Sequence, residues 1–196
     1  MSHASASDEA LMSAFARGDE TAYAELVHRH GAPLKAYALR LLRNAEQAED
    51  VFVDTFLRVA RDRAVWQPTG SVRGWLFTIA HRICLDLLRK RRRDQEREPQ
   101  IIAFEASRQV QASPEAAAEV GELADALELA IAELPVGHRE VVLLRLVHGL
   151  TGAETAAVVG LDEEQVRSQL SYARKRIRAA LEAGRPAVGA RARRSG

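Results

Sequence analysis

An all-α protein, built as two small helical domains joined by a flexible linker, is predicted by three features of the 196-residue sequence. Apolar residues recur at helical spacing in one segment after another, each opened by a capping residue and closed by Gly or Pro. The chain is crowded with Ala, Leu, Arg and Glu while aromatics make up only 5%, a balance that favours helix over strand. The helical period fails once over a long stretch, between about Arg97 and Ser113.

In the N-terminal domain, residues 1–96, Asp8 is placed to cap a first helix that Gly18 closes. Asp19 opens the next, with Tyr23, Leu26 and Val27 on one face, and Gly31 ends it before Pro33 starts a third that carries Leu34, Tyr37, Leu41 and Leu42. Asn44 and Gln47 have capping-box spacing ahead of a helix reaching about Arg63, whose apolar stripe is Val51, Phe52, Phe56 and Val59. Beyond Pro68 and Gly70, Ser71 begins a helix about 30 Å long. Its stripe, Trp75, Leu76, Ile79, Ile83, Leu87 and Leu88, closes the bundle and runs into Arg89-Lys90-Arg91-Arg92-Arg93.

Residues 97–113 read as the linker. Extended, it would span up to about 50 Å, so the flanking domains need not touch. In the C-terminal domain, residues 114–183, a helix from Pro114 to Glu133 stops at Pro135, and a second follows from Val136 to His148. Thr151 with Glu154 then caps a short helix, Gly152 to Val159, and Asp162 with Gln165 caps a long one through Arg178. A short helix, a Gly-containing tight turn and a longer basic helix form the helix-turn-helix pattern. A generic helical hairpin has no reason to place Arg167, Arg174, Lys175, Arg176 and Arg178 on its second helix, so DNA binding is expected. The Arg-rich tail, 184–196, is too short for a further domain and is expected to be disordered.

The net charge of +1 hides four unequal blocks: −3 over residues 1–60, +6 over 61–97, −10 over 98–164 and +8 over 165–196. Two basic blocks, one in each domain, suit two phosphate-bearing sites, and the acidic block between them faces something else. The start of the chain lacks the pattern of a secretory signal and no run approaches 18 apolar residues, so neither export nor membrane insertion is expected. A single cysteine, Cys84, excludes an intramolecular disulfide and a zinc site of the usual Cys/His spacing, which points to a reducing cytoplasm. There is no P-loop, GxGxxG, GxSxG or HExxH. His81 and Cys84 lie three apart, but a cysteine among Ile83, Leu87 and Leu88 reads as core. The chain is expected to be no enzyme and to take no cofactor, metal or small-molecule substrate.

Several motifs resemble one family. AEDVFVDTFLRV (48–59) is similar to the acidic helix of region 2 in bacterial sigma factors of the extracytoplasmic-function class, and GWLFTIAHR (74–82) through Asp86 and the Arg run resembles the segment that follows it. LPVGHREV (134–141), GLTGAE (149–154) and VRSQL (166–170) resemble region 4. The resemblance covers about residues 8–183 and implies a subunit that gives core RNA polymerase its promoter specificity without chemistry of its own, held in check by an anti-sigma factor. Residue by residue, it implies that Glu49, Asp50, Asp54 and Arg58 dock on polymerase. The loop from about Trp66 to Arg73 would capture a flipped base of the minus-ten element, and Arg73, His81, Arg82, Arg89 and Lys90 would contact its backbone or single strand. In region 4 it implies that Gln165, Arg167, Ser168, Gln169, Ser171 and Tyr172 approach the bases of the minus-thirty-five element while Arg174 and Lys175 meet phosphate, with Val166, Leu170 and Ile177 buried.

This sequence departs from the family pattern at Val53, at His81-Arg82, and at Gln169 and Tyr172, the last two where bases are read. Those departures forbid carrying over a promoter sequence. A stand-alone helix-turn-helix regulator, which needs a dimer interface and half-sites, and a decoy that binds polymerase or an anti-sigma factor without reading DNA are the competing readings.

Overall fold

Short capping side chains mark the starts of several helices of this protein. The computed structural model describes residues 5–64, 66, 70–97 and 118–184. Among them the chain forms α1 (Asp8–Ala16), α2 (Glu20–Leu42), α3 (Ala45–Asp62), α4 (Val72–Arg97), α5 (Ala118–Ala132), α6 (Val136–Val142), a π-helical turn (Leu143–Val147), α7 (Gly152–Val159) and α8 (Glu163–Gly184). The cap of α1 is Ser7, whose hydroxyl accepts from the Ala10 N–H at 3.2 Å, and not Asp8. Asp8 instead lies inside the first turn and reaches Arg29 at 3.1 Å and His30 at 2.7 Å. Asp19 caps α2, and Asn44 caps α3 by accepting from the Gln47 N–H at 2.8 Å. Both expected C-terminal boxes are reciprocal: Thr151 with Glu154, and Asp162 with Gln165.

One boundary is absent. Gly31 and Pro33, read as a break, lie inside the 23-residue α2. Pro33 removes one backbone donor from the helix, but the helix carries on because its apolar stripe is buried on both sides of that point. Leu26, Leu34, Tyr37 and Leu41 are all within 1% of full burial. Gly31 serves packing: a Cβ there would stand 2.9 Å from Cε2 of Phe52 on α3. The absent side chain lets α2 and α3 approach closely.

Around this pair, α1 contributes Leu11, Met12 and Phe15 and α4 contributes Leu76, Phe77, Ala80 and Cys84 to the N-terminal core. In the C-terminal half α8 lies across α5, α6 and α7 and buries Val166, Leu170, Ala173 and Ile177. The linker falls, apart from Arg97, outside the described residues, as does the tail after Gly184. Its length permits the halves to separate, yet they are in contact: α4 packs on α7, and α2 on α6 and the π-helical turn, so the buried apolar residues form one continuous cluster.

Gly31→Ala tests the α2–α3 approach. In an open helix the change would stabilise by up to about 1 kcal/mol. Here overpacking against Phe52 outweighs that gain, and urea unfolding is expected to show a net loss of about 1–2 kcal/mol.

Candidate nucleic-acid interface

Two features fix the start of α8. Gly160, at φ 73°, makes the left-handed turn after α7, and the Asp162–Gln165 box satisfies the first free N–H groups. With Val166, Leu170, Ala173 and Ile177 turned inward, helical periodicity sends Ser168, Ser171 and Lys175 outward, and all three are exposed. Arg167 and Arg174 share one flank seven residues apart, and Tyr172 and Arg176 the other. Arg167, Arg174, Lys175, Arg176 and Arg178 pair with no carboxylate among the described residues. Two expected base readers are partly committed. Gln165 Oε1 accepts from the Asp162 N–H at 3.0 Å, and Gln169 is half-buried toward α6 with its Oε1 unpartnered. Tyr172 is 45% exposed, and its other side stacks on His138 of α6 with ring centroids 4.5 Å apart.

On α3 the expected polymerase-facing carboxylates of Glu49, Asp50 and Asp54 are exposed and Arg58 is half-buried. Glu49 pairs with Lys35 of α2. Among these charges stand Val53, 45% exposed, and Leu57, 60% exposed, one helical turn apart. On α4, Arg82, Arg89 and Lys90 face solvent, Arg89 alongside Asp86 at 3.1 Å. Gln67, Pro68 and Thr69 of the expected base-capturing loop lie outside the described residues, and Trp66 packs on the core. The start of α4 is covered by the C-terminal half. Ser71 donates its hydroxyl proton to Glu154, the Arg73 guanidinium donates to the His148 carbonyl, and His81 is 2% exposed.

His81 belongs to a buried polar seam. Tyr37 of α2 bonds His81 Nδ1 at 2.8 Å, and Nε2 of the same ring lies 3.7 Å from Glu140 of α6. His148, at the end of the π-helical turn, stands edge-on to Tyr37 and against Phe77. Arg139 reaches from α6 to the Leu41 carbonyl at 3.3 Å, near the negative end of the α2 dipole. Arg40 of α2 forks onto Glu128 of α5 with contacts of 2.8–3.0 Å. Desolvation, added to by the Arg82 and Arg89 charges, pushes His81 down to about 4. The same loss of water, with Arg40 and Arg73 nearby, takes His148 to about 4. Burial lifts Glu140 to about 7 and the Cys84 thiol to about 12, so neither behaves as an exposed acid or a reactive thiolate. Glu154 moves the other way, held below the usual range first by the Ser71 hydroxyl and then by the Thr151 N–H.

Sequence reading missed Tyr37, Arg139, Glu140, His148 and Glu154 as a set. All five stood in plain view, Tyr37 in an apolar stripe, His148 at a helix end, Arg139 and Glu140 within LPVGHREV and Glu154 as a capping partner. Their long-range partners left no periodic trace. Among the described residues no cluster of His, Cys, Asp and Glu suits a metal ion, and no helix is long and apolar enough to cross a membrane.

Comparison with known proteins gives two family matches, sigma-70 region 2 over residues 26–94 and sigma-70, region 4 over residues 124–177. The chain is 33% identical to the ECF RNA polymerase sigma factor SigL of Mycobacterium tuberculosis, over 93% of this chain and 95% of that one. It is 30% identical to SigM of the same organism over 87% and 83%. A solved structure of CnrH in complex with the cytosolic domain of CnrY superposes with a TM-score of 0.68 at 28% identity, covering 91% of this chain and 99% of that one.

The seam carries opposed pH dependences. Both imidazoles titrate lower when packed than in the unfolded chain, so their contribution is complete above about 6.5 and is lost as pH falls toward 4. Glu140 titrates higher when packed, so its contribution is complete below about 4.5 and is lost as pH rises through 7. With two imidazoles against one carboxyl, stability is expected to peak near neutrality and to fall between pH 6.5 and 5. In urea titrations Glu140→Gln should steepen that acid loss and His148→Gln should shallow it; a flat profile in all three proteins refutes the assignment.

Proposed function

This chain belongs to the extracytoplasmic-function class of sigma-70 factors, and from that membership we propose how its surfaces divide the work. It is a sigma factor, a subunit that binds core RNA polymerase and directs initiation at promoters while polymerase does the chemistry. The stand-alone regulator and the decoy are set aside by membership in this family. Its workplace is the cytoplasm, beside polymerase and chromosome.

The α3 face receives polymerase through Glu49, Asp50, Asp54 and Arg58, with Val53 and Leu57 adding apolar area that charged neighbours keep soluble in the free protein. At α4, Arg82, Arg89 and Lys90 neutralise phosphate along the minus-ten element. Arg73 and His81 join them only after the seam parts, because both are covered in the closed arrangement. At α8, Arg167, Ser168, Ser171 and Tyr172 approach base edges in the major groove of the minus-thirty-five element, with Arg174 and Lys175 on phosphate. Gln165 and Gln169 contribute through the shape of the helix start, since one caps it and the other is half-buried. The single observation carrying this reading is the row of unpaired cations on a reciprocally capped helix-turn-helix. CnrH is seen with the cytosolic domain of CnrY, which supports a protein antagonist of the anti-sigma class for this chain also.

Run-off transcription of genomic templates by core polymerase, with and without this protein, tests the reading, and promoter-dependent transcripts should appear only with it. Arg167→Ala is expected to weaken promoter binding by about 1–3 kcal/mol and to relax preference at one upstream position. Lys175→Ala should weaken all sequences alike and lower the salt slope by about one. Identical behaviour of the two variants overturns the division between base reader and phosphate contact.

A further inference from the structure

We propose that His138 of α6 is a positioning residue for promoter reading: its ring holds Tyr172 of α8 in one pose, and Tyr172 so held selects a thymine methyl in the minus-thirty-five element. The inference rests on the sigma-factor reading above and deepens it, from which helix reads the duplex to which chemistry it reads.

Tyr172 differs in kind from its neighbours on α8. Arg167, Arg174, Lys175 and Arg176 offer charge to a groove, whereas Tyr172 offers an aromatic ring, 45% exposed. One side of that ring rests on His138, with centroids 4.5 Å apart and planes tilted by 47°. The remaining surface is largely carbon, with a single hydroxyl at its tip. A phenol has no fork of donors for guanine and no amide for adenine, and the apolar group that base pairs present in the major groove is the thymine methyl.

His138 itself is held by a corner of short-range bonds. The Pro135 carbonyl accepts from the N–H groups of His138 at 3.0 Å and Arg139 at 2.9 Å. The Arg139 guanidinium folds back onto the Leu134 carbonyl at 2.9 Å and onto the Ala132 carbonyl, while Val141 and Val142 anchor α6 in the core. The same corner meets α8 a second time, a turn before Tyr172: a Cβ on Gly137 would lie 3.9 Å from Oε1 of Gln169, an atom buried without a partner. Tyr172 therefore leans on a fixed surface. A side chain already at rest has less freedom to lose when DNA arrives. His138 is half-buried and acts through Tyr172, not on the base.

Replacing thymine by deoxyuridine removes the methyl and keeps the base pair, so the test reads a ratio of affinities. Holoenzyme formed with core polymerase is bound to a promoter recovered by run-off transcription, with each thymine of the upstream element, on either strand, replaced in turn. The ratio compares one protein with itself, so any misfolded fraction of a variant cancels. In the parent one position should lose about three- to fivefold in affinity, the worth of a buried methyl group. Tyr172→Ala and His138→Ala should bring that ratio close to one. His138→Ala should also weaken binding of the thymine promoter by about two- to tenfold, the cost of ordering a freed side chain. Tyr172→Phe and His138→Phe, which keep the rings, should preserve the ratio. No methyl effect at any position, or one that survives Tyr172→Ala, overturns thymine selection. A ratio unchanged in His138→Ala, or lost equally in His138→Phe, overturns the positioning role. Loss in Tyr172→Phe assigns the contact to the hydroxyl and overturns the methyl reading. Each of these leaves the sigma-factor reading standing, since the parent holoenzyme still initiates; a parent that supports no promoter-dependent initiation removes that reading and the proposal together.

Discussion

The buried phenol of Tyr37 is the point on which the joined arrangement depends. It sits on α2, bonds His81 of α4, and takes His148 of the π-helical turn edge-on, so one side chain touches the N-terminal bundle and the C-terminal half together. Burial lifts its pKa well above the ordinary value, which keeps the hydroxyl protonated and available as a donor. A phenol donor on Nδ1 leaves the neutral imidazole's own N–H on Nε2, the atom directed at Glu140. The centre of the seam, Tyr37 with His81 and His148, is thus a set of neutral polar groups, while Arg40, Arg73 and Arg139 keep charges at its edges. Each buried group left unpaired costs about 1–3 kcal/mol against solvation in water, so the apolar packing of α4 on α7 has to outweigh several such terms. An interface of that kind is closed by a margin and not by a lock.

Where structure follows from neighbours a few residues apart, the sequence was sufficient. Thr151 and Glu154, or Asp162 and Gln165, announce a helix start because a capping box is a local chemical event, and the stripe Val166, Leu170, Ile177 announces which side of α8 is buried. The errors are equally instructive. Gly31 and Pro33 looked like punctuation because both disfavour helix, but tertiary burial around Leu34 and Tyr37 overrode the local preference. Asp8 looked like a cap, and Ser7 took that place while Asp8 turned to Arg29 and His30. The seam itself was illegible. His81, Glu140 and His148 have no spacing in common and become a cluster only once the two halves are docked.

Assigning α8 to base reading and α4 to the displaced strand requires that the surfaces differ in how they are held, and they do. The α8 cations project from a helix anchored on one side by four apolar residues and at its start by two reciprocal hydrogen bonds, so little ordering remains to be done when DNA arrives. At α4 the distal cations Arg82, Arg89 and Lys90 are open to solvent, whereas Arg73, nearest the segment that would meet an extruded base, has a protein partner already. On the proposed assignment, duplex reading by α8 would not need the seam to part, whereas strand capture at the start of α4 would.

Charge also has a part in the joined arrangement. The acidic 98–164 block, puzzling as a sequence feature, supplies Glu128, Glu140 and Glu154 to the seam, and each faces the N-terminal half. Glu128 holds Arg40 and Glu154 lies near Arg73, so two of these acids stand beside cations of the N-terminal half, while Glu140 faces the neutral His81. A lone carboxylate or carbonyl offers one partner to Arg73, while duplex DNA presents a negative charge every 1.7 Å or so along its axis. Added salt weakens the exposed Arg40–Glu128 strap and the protein–DNA attraction together, but the dehydrated centre around Tyr37 is screened far less. Ionic strength alone therefore loosens the rim of the seam more than its centre.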